Sequence, residues 1–358
     1  TMKDVRYALI GHGKVAQIHA QAIKEAKGST LVAVWGRDAK KAAAFGAQWG
    51  ILPFTDLSQM VREAKIDAVI VTTPHPLHKE HTIAALEAGA HVLVEKPMAL
   101  TVSDCDEMIA CARRMGKKLA TVSQRRWLPA SGRIKDAIEA GKLGVPMIGQ
   151  VTILGWRDEA YYKSDPWRGK WESEGGGVVV NQASHQLDLL HWFLGPVKEV
   201  YAQWDNINHP YIEVDDTAVA TVRFASGAMA SILISNSQKP GIWAKVHVHG
   251  SSASSVGVQT DGGAMFIPGL SGVSEPPLND LWTIKGEEQN LDRWKEEDTA
   301  FFNTIDPVAY FFRCQIESFT TAIIEDTTPP SPGEDGRETV KIIEGIYRSQ
   351  KEGVPIRY

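Results

Sequence analysis

The sequence predicts an α/β protein in which a doubly wound parallel sheet is followed by an α+β domain with a large, predominantly antiparallel sheet. The chain has 358 residues, more than a single hydrophobic core usually supports, so two domains are expected. Strand-like and helix-like segments alternate over roughly the first third, as in parallel sheets. Beyond that point strand-like runs follow one another with few helices, which indicates antiparallel pairing. The predicted domains are residues 1–125 and 126–358.

The composition indicates a folded protein with a small-molecule partner. Hydrophobic residues make up 43% and charged residues 23%, which is ordinary globular usage. A net charge of −5 without a basic block argues against nucleic acid or an anionic membrane as partner. No apolar run has the length of a membrane span, and the early strand pattern leaves no room for a signal peptide. Cys105, Cys111 and Cys314 lack metal-ligand spacing and are interpreted as reduced thiols, so a cytoplasmic location is expected.

The first strand, Val5 to Ile10, leads directly into a glycine turn and a helix. Strand, turn and helix in this order are the context that a dinucleotide fingerprint requires. The candidate cofactor residues are Gly11, His12, Gly13, Lys14, Val15 and Ala16. Gly11 permits the tight turn, Gly13 lets the backbone approach a pyrophosphate, and the helix N-terminus offers free N–H groups. The alternative is a plain glycine-rich turn. His19 faces the apolar stripe of the helix and is interpreted as a packed histidine.

The end of the second strand, at residues 31–35, favours NADP over NAD. An NAD site usually has an acidic side chain here for the ribose 2′-hydroxyl, whereas Arg or Lys can bind a 2′-phosphate. This chain has Gly36 at the strand end, with Arg37 and Lys41 following. Asp38 could still bind a ribose, and the alternative is that Arg37 and Lys41 are solvated residues at a helix start.

The alternation continues with helices at residues 42–49, 57–64, 80–88 and 101–115 and strands at 68–72 and 119–123. The strand at 68–72 opens into a loop that contributes further cofactor candidates: Thr72, Thr73, Pro74, His75 and His78. His75, His78 and His81 resemble a metal cluster, but no Cys or Asp joins them and their loop position explains them equally well. No metal is expected.

The stretch His91 to Pro97 ends an apolar strand abruptly in Glu95, Lys96 and Pro97. A buried parallel strand delivers such polar groups to the carboxyl edge of the sheet, where α/β proteins bind ligands. Lys96 is the candidate chemical centre, and Glu95 is a candidate cofactor residue. The alternative is that both are ordinary charges at a strand end.

The second domain begins with a helix at residues 130–141. Strand-like segments follow at 147–154, 197–204, 217–224, 229–235 and 245–248, and this sheet is expected to supply an oligomer face. Residues 257–277 are rich in Gly, Ser and Pro and are interpreted as hairpins or long loops. Helices are predicted at 308–324 and 336–350, and the last could return to pack on the first domain.

The segment from Glu174 to Asp188 combines three glycines with polar side chains at helical spacing. Asn181 and His185 are four residues apart and Asp188 follows three residues later, so one helix face would carry all three. A histidine so placed can exchange a proton near neutral pH, as alcohol oxidation requires. The alternative is a capped, buried helix with a hydrogen-bonded histidine.

The motifs in this order resemble the Gfo/Idh/MocA family of oxidoreductases, the group of glucose/fructose oxidoreductase and inositol dehydrogenase. They are the Gly-x-Gly-x-x-Ala turn, Thr72-Thr-Pro74 with His78, Glu95-Lys-Pro97, and Gly175-Gly-Gly followed by His185 and Asp188. The resemblance covers nearly the whole chain. It implies a Rossmann domain, a second domain that assembles dimers or tetramers through its sheet, NAD(P) as cofactor, and Lys96 and His185 as the catalytic pair.

One position departs from the family pattern. Much of the family has Asp four residues before the histidine, where this chain has Asn181. Without that carboxylate the charged form of His185 loses an anionic neighbour, so more weight falls on Lys96 as the base. Asn181-Gln182 resembles a branch of the family that acts on sugars and glycosides, frequently at the 3-hydroxyl.

Aromatic and charged residues interleave just before the three glycines and are expected to line a sugar pocket. Aromatic faces stack on the C–H faces of a pyranose, and charged groups bind its hydroxyls. The substrate candidates are Lys96, Arg126, Arg157, Tyr161, Trp167, Arg168, Asn181 and His185. By resemblance, Trp167 and Arg168 would also reach the cofactor, and Gln124 would border the same cleft. The alternative is a hydrophobic loop packed under the cofactor.

The expected function is that of an NAD(P)-dependent dehydrogenase or reductase that interconverts a hydroxyl and a ketone on a sugar, glycoside, anhydrosugar or polyol. Lys96, alone or with His185, would take the hydroxyl proton. Asn181 and Asp188 would position His185 and the substrate hydroxyls. Inositol oxidation, redox-type glycoside hydrolysis and a non-catalytic cofactor or sugar sensor are the alternatives.

Overall fold

The computed structural model describes residues 4–239, 241–242, 244–261 and 275–358. The chain forms two compact units. The first contains the residues up to Gln124 together with Ala309–Arg337, and the second contains Arg125–Val308 with Glu338–Tyr358. The first boundary lies one residue from the predicted one. The structure differs from a continuous second domain because residues 309–337 group with the first unit.

The first unit is built on a six-stranded sheet in which every pair of neighbours is parallel. Its strands are β1 (Val5–Ile10), β2 (Ser29–Trp35), β3 (Leu52–Phe54), β4 (Ala68–Val71), β5 (His91–Val94) and β6 (Leu119–Thr121). Their order is β3-β2-β1-β4-β5-β6. The order reverses between β1 and β4, and ligands of doubly wound sheets bind at such a switch point. The parallel sheet is therefore as predicted, with β3 as an additional short strand.

Five helices connect these strands. They are α1 (Lys14–Glu25), α2 (Ala39–Trp49), α3 (Leu57–Glu63), α4 (His78–Glu87) and α5 (Val102–Met115). Side chains cap three of them: Asp38 at α2, Asp56 at α3 and Thr101 at α5 each accept backbone N–H bonds from the first turn. The core is apolar, and its buried tyrosine, Tyr7, is satisfied by a 2.8 Å hydrogen bond between its hydroxyl and Thr320.

The second unit is built on an eight-stranded sheet. Its strands are β7 (Pro146–Leu154), β8 (Val197–Asp205), β9 (Thr217–Phe224), β10 (Met229–Ser235), β11 (Ala244–Gly250), β12 (Ser255–Asp261), β13 (Leu278–Trp282) and β14 (Ile356–Arg357). The order is β13-β12-β11-β7-β10-β9-β8-β14, and only the β7–β10 pair is parallel. The predicted predominantly antiparallel sheet is confirmed. β12 occupies the start of the segment 257–277, and residues 262–274 of that segment lie outside the described residues.

The remaining helices are α6 (Pro129–Glu139), α7 (Glu159–Lys163), α8 (Trp171–Glu174), α9 (Val178–Asn181), α10 (Ser184–Leu194), α11 (Asn290–Phe302), α12 (Tyr310–Glu325) and α13 (Gly333–Glu352). α12 belongs to the first unit, and α13 is divided, with its residues from Glu338 onward in the second. None of the helices in the described ranges is long and apolar enough to cross a membrane.

The second sheet buries one face and exposes the other. Along β9, Ala218, Ala220 and Val222 are buried, while Val219 between them is 53% exposed. This alternation is typical of an antiparallel sheet covered on one side. Large apolar side chains on the exposed positions of neighbouring strands are Tyr201, Met229, Leu233 and Ile148.

Candidate functional site

The turn after β1 has the backbone geometry of a nucleotide-binding loop. Gly11 has a φ of +105°, and a Cβ at this position would lie 2.8 Å from Thr72 Oγ1. Gly13 precedes α1, and a Cβ there would meet no heavy atom of the described residues within 4 Å. No side chain caps the N-terminus of α1 among the residues that the structure describes. The two glycines therefore differ: Gly11 is required by the fold, and Gly13 leaves an open backbone surface at a helix N-terminus that fits a pyrophosphate.

The end of β2 has a glycine, Gly36, at the position where NAD sites usually have an acidic side chain. A Cβ on Gly36 would overlap the ring of His12. The nearby Asp38 carboxylate caps α2 by accepting the backbone N–H groups of Lys40 and Lys41 at 2.9 and 3.1 Å. The bond from Lys41 is the main reason that the pKa of Asp38 is lowered. Arg37 and Lys41 are exposed.

The turn after β5 is held by a buried histidine–carboxylate pair. The Nε2 atom of His19, on α1, lies 2.8 Å from Glu95 Oε1, and Glu95 Oε2 accepts the backbone N–H of Lys96 at 3.0 Å. His19 is fully buried, and its ring meets Phe312 edge-on at 4.9 Å. Burial would raise the pKa of Glu95, but the bond with His19 and the neighbouring Lys96 outweigh it and lower the pKa. His19 is thus packed, as predicted, but it also supports the Lys96 turn.

His78 joins this turn to the loop after β4. Its Nδ1 atom lies 2.7 Å from the Pro97 carbonyl oxygen, and its Nε2 atom lies 2.8 Å from the Thr73 carbonyl oxygen. The Nδ1 atom of His81 lies 2.8 Å from the Thr73 hydroxyl. His78 therefore holds the backbone of both loops, and His81 holds the side chain of Thr73. Within the described ranges, no three His, Cys, Asp or Glu side chains form a group that could hold a metal ion.

Gln124 follows β6 at the same edge of the sheet and is 3% exposed. Its Oε1 atom is buried and accepts no hydrogen bond from the described residues. Buried polar atoms normally have a partner. This orphaned acceptor fits a ligand group that supplies a donor, and the cofactor role of Gln124 stays a prediction.

In the second unit, Asp215 fixes the glycine-rich turn. Its carboxylate accepts the backbone N–H groups of Gly177 at 2.8 Å and Val179 at 3.0 Å, and the Tyr347 hydroxyl at 2.7 Å. Burial raises the pKa of Asp215 against these bonds. A Cβ on Gly177 would overlap the Asp215 backbone. This close approach explains the glycine at position 177, the last of the three, and the sequence alone did not reveal it.

The segment after this turn is not one continuous helix. α9 ends at Asn181 and α10 begins at Ser184, and the Ala183 N–H donates to Val178 rather than to a residue four positions earlier. The prediction that one helix face carries Asn181, His185 and Asp188 is therefore wrong. The irregular step arises because the three-glycine turn and Asp215 fix the start of α9 independently of α10.

The Asp188 carboxylate forms an ion pair with Arg126. The guanidinium donates to the Asp188 carboxylate at 2.9 and 2.7 Å, and His191 Nε2 lies 3.3 Å from the same carboxylate. Arg126 and Asp188 are 8% and 5% exposed. The two charges therefore neutralise each other inside the second unit. Positioning of His185 by Asp188 and substrate binding by Arg126 stay predictions. His185 itself is half-buried.

The aromatic segment is divided among several environments. The Tyr161 ring lies 4.5 Å from the guanidinium carbon of Arg157 and 4.3 Å from that of Arg168, which also lies 4.4 Å from the Trp167 ring. Tyr162 meets the Tyr161 ring edge-on, and its hydroxyl accepts a bond from Asn236. Trp171 packs against Trp204 and Tyr347. Of the aromatic residues expected in a sugar pocket, Tyr161 and Trp167 are those that the structure combines with arginines.

The Tyr161 hydroxyl accepts three N–H donors. These come from Arg168 at 2.5 Å, Gln182 at 3.2 Å and Asn181 at 3.3 Å. The structure therefore brings three predicted or neighbouring site residues of the second unit to the phenolic oxygen of Tyr161. Glu174, which the sequence did not single out as a site residue, also bonds to Asn181.

The fold and these sites define the class of protein: an oxidoreductase with an NAD-binding Rossmann domain. The family model described as "Oxidoreductase family, NAD-binding Rossmann fold" matches residues 5–123, and that of the "GFO/IDH/MocA C-terminal domain" matches residues 132–256. The chain belongs to the Gfo/Idh/MocA family of oxidoreductases.

Several relatives of this chain are named for reactions on sugars. A 1,5-anhydro-D-fructose reductase of Ensifer adhaerens is 31% identical, over 76% of this chain and 83% of the relative. A D-glucoside 3-dehydrogenase of Escherichia coli is 30% identical, over 64% of this chain and 69% of the relative. Among solved structures, the WlbA dehydrogenase of Bordetella pertussis in complex with NADH and UDP-GlcNAcA has a TM-score of 0.86 and 29% identity, covering 100% of this chain and 99% of that one.

Proposed function

We propose that this protein interconverts a hydroxyl and a ketone on a sugar, glycoside, anhydrosugar or polyol, with Lys96 as the group that takes the hydroxyl proton. The observation that carries this proposal is the buried His19–Glu95 support, which fixes Lys96 after β5 at the same sheet edge as the Gly11 turn. The names of the relatives support a carbohydrate substrate, including oxidation at a 3-position.

The cofactor would be held by the Gly11–Ala16 turn, the Thr72–His78 loop and Gln124, and when bound it supplies the two-electron acceptor or donor. Lys96 must be an uncharged amine to accept a proton at Nζ. The positive charge of an oxidised nicotinamide ring beside it would favour that state. The backbone bond from Lys96 to Glu95 fixes where the side chain starts. In the reductive direction the same ammonium group returns the proton to the alkoxide oxygen.

Residues of the second unit would bind the sugar. His185 would exchange a proton with a substrate hydroxyl, and Asn181 would bind a neighbouring hydroxyl. Tyr161, Trp167 and Arg168 would supply the stacking face and the donors that a pyranose needs. Arg157, whose guanidinium carbon lies 4.5 Å from the Tyr161 ring, would also bind the substrate.

Turnover by the purified protein tests this proposal directly. NAD or NADP is incubated with a panel of glucosides, inositols and anhydrosugars, and the absorbance of the reduced nicotinamide is followed. Lys96→Met is expected to lower kcat by about a hundredfold or more, the usual contribution of a positioned base. An exposed lysine in the last turn of α1 provides the control variant, Lys24→Met. Full turnover by Lys96→Met overturns the assignment.

We also propose NADP rather than NAD as the preferred dinucleotide. Gly36 leaves the end of β2 without a carboxylate, and Asp38 is engaged by the N-terminus of α2. Arg37 and Lys41 are exposed beside that position and can bind a 2′-phosphate.

A homodimer or homotetramer is proposed to form through the exposed face of the second sheet. Val219, Leu233 and Met229 on adjacent strands are 53%, 40% and 48% exposed, and such apolar patches mark interaction surfaces. The variant Val219→Arg/Leu233→Arg is expected to lower the mass measured by light scattering to that of the monomer.

A cytoplasmic location is also proposed. It is supported by the three cysteines, which form no disulfide bond in the described structure.

A further inference from the structure

Glu174, the last residue of α8, has a buried carboxylate that accepts a hydrogen bond from Asn181. It is 1% exposed. Its Oε1 atom accepts a bond from Asn181 Nδ2 at 2.9 Å, and its Oε2 atom accepts the backbone N–H of Gly169 at 2.6 Å. Asn181 Nδ2 also donates to the Tyr161 hydroxyl at 3.3 Å.

These contacts determine how the Asn181 amide is turned. An amide nitrogen has two N–H donors, and here both are directed at oxygen atoms. The reversed amide would place Oδ1 against the Glu174 carboxylate, where two acceptors would face each other without a proton. The carbonyl oxygen of Asn181 therefore points away from Glu174 and acts as a hydrogen-bond acceptor.

An aspartate at position 181 would replace this hydrogen bond by a contact between two carboxylates. Its second oxygen would take the place of Nδ2, 2.9 Å from Glu174 in this structure. Two carboxylates at that separation cannot both be ionised without a large rise in one pKa. Glu174 and Asn181 are thus a matched carboxylate–amide pair, and position 181 is the one at which this chain departs from the family pattern.

We propose that Glu174 is a positioning residue that locks Asn181 with its carbonyl oxygen presented to a donor hydroxyl of the substrate. This rests on the proposed function, in which Asn181 binds the sugar. Because the lock needs the ionised carboxylate as acceptor, substrate binding should weaken when Glu174 takes up a proton.

The surroundings of Glu174 place that protonation near neutrality. Burial, opposed by the bonds from Gly169 and Asn181, raises the pKa of Glu174 to about 7. The charged and titratable groups that face it are Arg168, which lowers this pKa, and Asp215, which raises it. The negative charge of Glu174 in turn contributes to raising the pKa of Tyr162 of α7 and of Tyr347 of α13. Above pH 7 Glu174 is ionised and the lock is formed; below pH 7 it is progressively lost.

Four variants of the 358-residue chain test the proposal by steady-state kinetics between pH 5.5 and 8.5. The substrate is the one that the panel above identifies. Glu174→Gln is expected to raise KM for the sugar about tenfold, the effect of losing one charge-assisted hydrogen bond, and to remove the change in KM near pH 7. Asn181→Asp is expected to lower kcat/KM similarly. The double variant Glu174→Gln/Asn181→Asp exchanges the two groups, so that the amide now at position 174 can donate to the carboxylate now at position 181, and most of kcat/KM should return. The exposed neighbour supplies the control, Glu172→Gln.

A stability cycle separates failure of this inference from failure of the proposed function. Urea unfolding at pH 8 should show Asn181→Asp to be less stable than the double variant, whatever the protein catalyses. Equal stability of these two variants overturns the matched pair. If the pair is confirmed but the protein turns over no member of the panel, the proposed function fails alone. If Lys96→Met is inactive and Glu174→Gln behaves as Glu172→Gln in KM and pH profile, the positioning role is wrong.

Discussion

Arg126 and Asp188 form a two-bond ion pair inside the second unit, with N–O distances of 2.9 and 2.7 Å. Both side chains are buried, and the guanidinium also lies over the Trp192 ring at 5.1 Å. A buried charge without its partner is costly, so the pair ties the short turn before α6 to α10. Since α10 also carries His185, the pair supports a site residue without being directed at it.

Asp188→Asn is expected to lower the free energy of unfolding by about 3 kcal/mol, because it leaves the Arg126 guanidinium buried without a counter-charge. The measurement is urea unfolding at pH 7. The exposed aspartate of α6 gives the matched control, Asp136→Asn, for which a change below about 0.5 kcal/mol is expected. A loss of turnover by Asp188→Asn without loss of stability would instead indicate a direct role in catalysis.

The same pair should give the protein an acid-sensitive contribution to stability. Burial would raise the pKa of Asp188, but Arg126 and His191 outweigh it and lower the pKa from 3.8 to about 2. The unfolded state therefore binds the proton first, and the contribution, on the order of 2 kcal/mol, is present above about pH 4. It is lost as the pH falls towards 2. The slope of unfolding free energy against pH in this window should be smaller in Asp188→Asn than in the wild type.

The two glycines after β1 should respond differently to alanine. Gly11→Ala combines a φ of +105° with a contact to Thr72, so it should destabilise the fold by about 1–3 kcal/mol. Gly13 has an extended backbone, and a Cβ there meets nothing in the described part of the chain. Gly13→Ala should therefore fold normally but bind dinucleotide about tenfold more weakly, because the methyl group blocks the approach of the pyrophosphate. Calorimetric titration and thermal unfolding separate the two effects; unchanged affinity in Gly13→Ala would contradict this assignment of the turn.

The sequence was sufficient for the parts of the fold that local patterns determine. Hydrophobic periodicity located β1, α1 and β5, and Thr101 was identified as the cap that it forms in the structure. The parallel pairing of the first sheet followed from the alternation of strands and helices. The grouping of residues 309–337 with the first unit was missed because it depends on long-range contacts such as Tyr7 with Thr320, which leave no local pattern.

The candidate site was predictable as a set of motifs but not as a set of contacts. Helical spacing suggested one helix face for Asn181, His185 and Asp188. The break at Gln182–Ala183 instead separates Asn181 from α10, which carries the other two. Glu174 and Asp215 were overlooked because each acts through a partner that is distant in sequence or lies beyond a turn. Buried acidic residues are uncommon, so a carboxylate next to a glycine run could have been a signal.

The cofactor preference should depend on Arg37. Arg37→Ala is expected to weaken NADP binding about tenfold by loss of a charge-assisted bond to the 2′-phosphate, and to leave NAD binding unchanged. Dissociation constants for both dinucleotides, measured by fluorescence titration, test this. An exposed lysine in the same helix start gives the control, Lys40→Ala. A preference for NAD that Arg37→Ala does not alter would reject the 2′-phosphate site.

His19 should affect the rate of the reaction rather than the binding of dinucleotide. Its ring is the side-chain partner of Glu95 Oε1, and the other oxygen of Glu95 holds the Lys96 backbone. His19→Phe fills the space but leaves a buried carboxylate without this bond, so the pKa of Glu95 should rise and the Lys96 turn should lose its fixed position. We expect kcat to fall between about tenfold and a hundredfold, as small displacements of a reacting group do, with little change in the dissociation constant of the dinucleotide. His19→Gln keeps an N–H donor and should recover most of the rate. Equal rates for the two variants would show that His19 contributes packing alone.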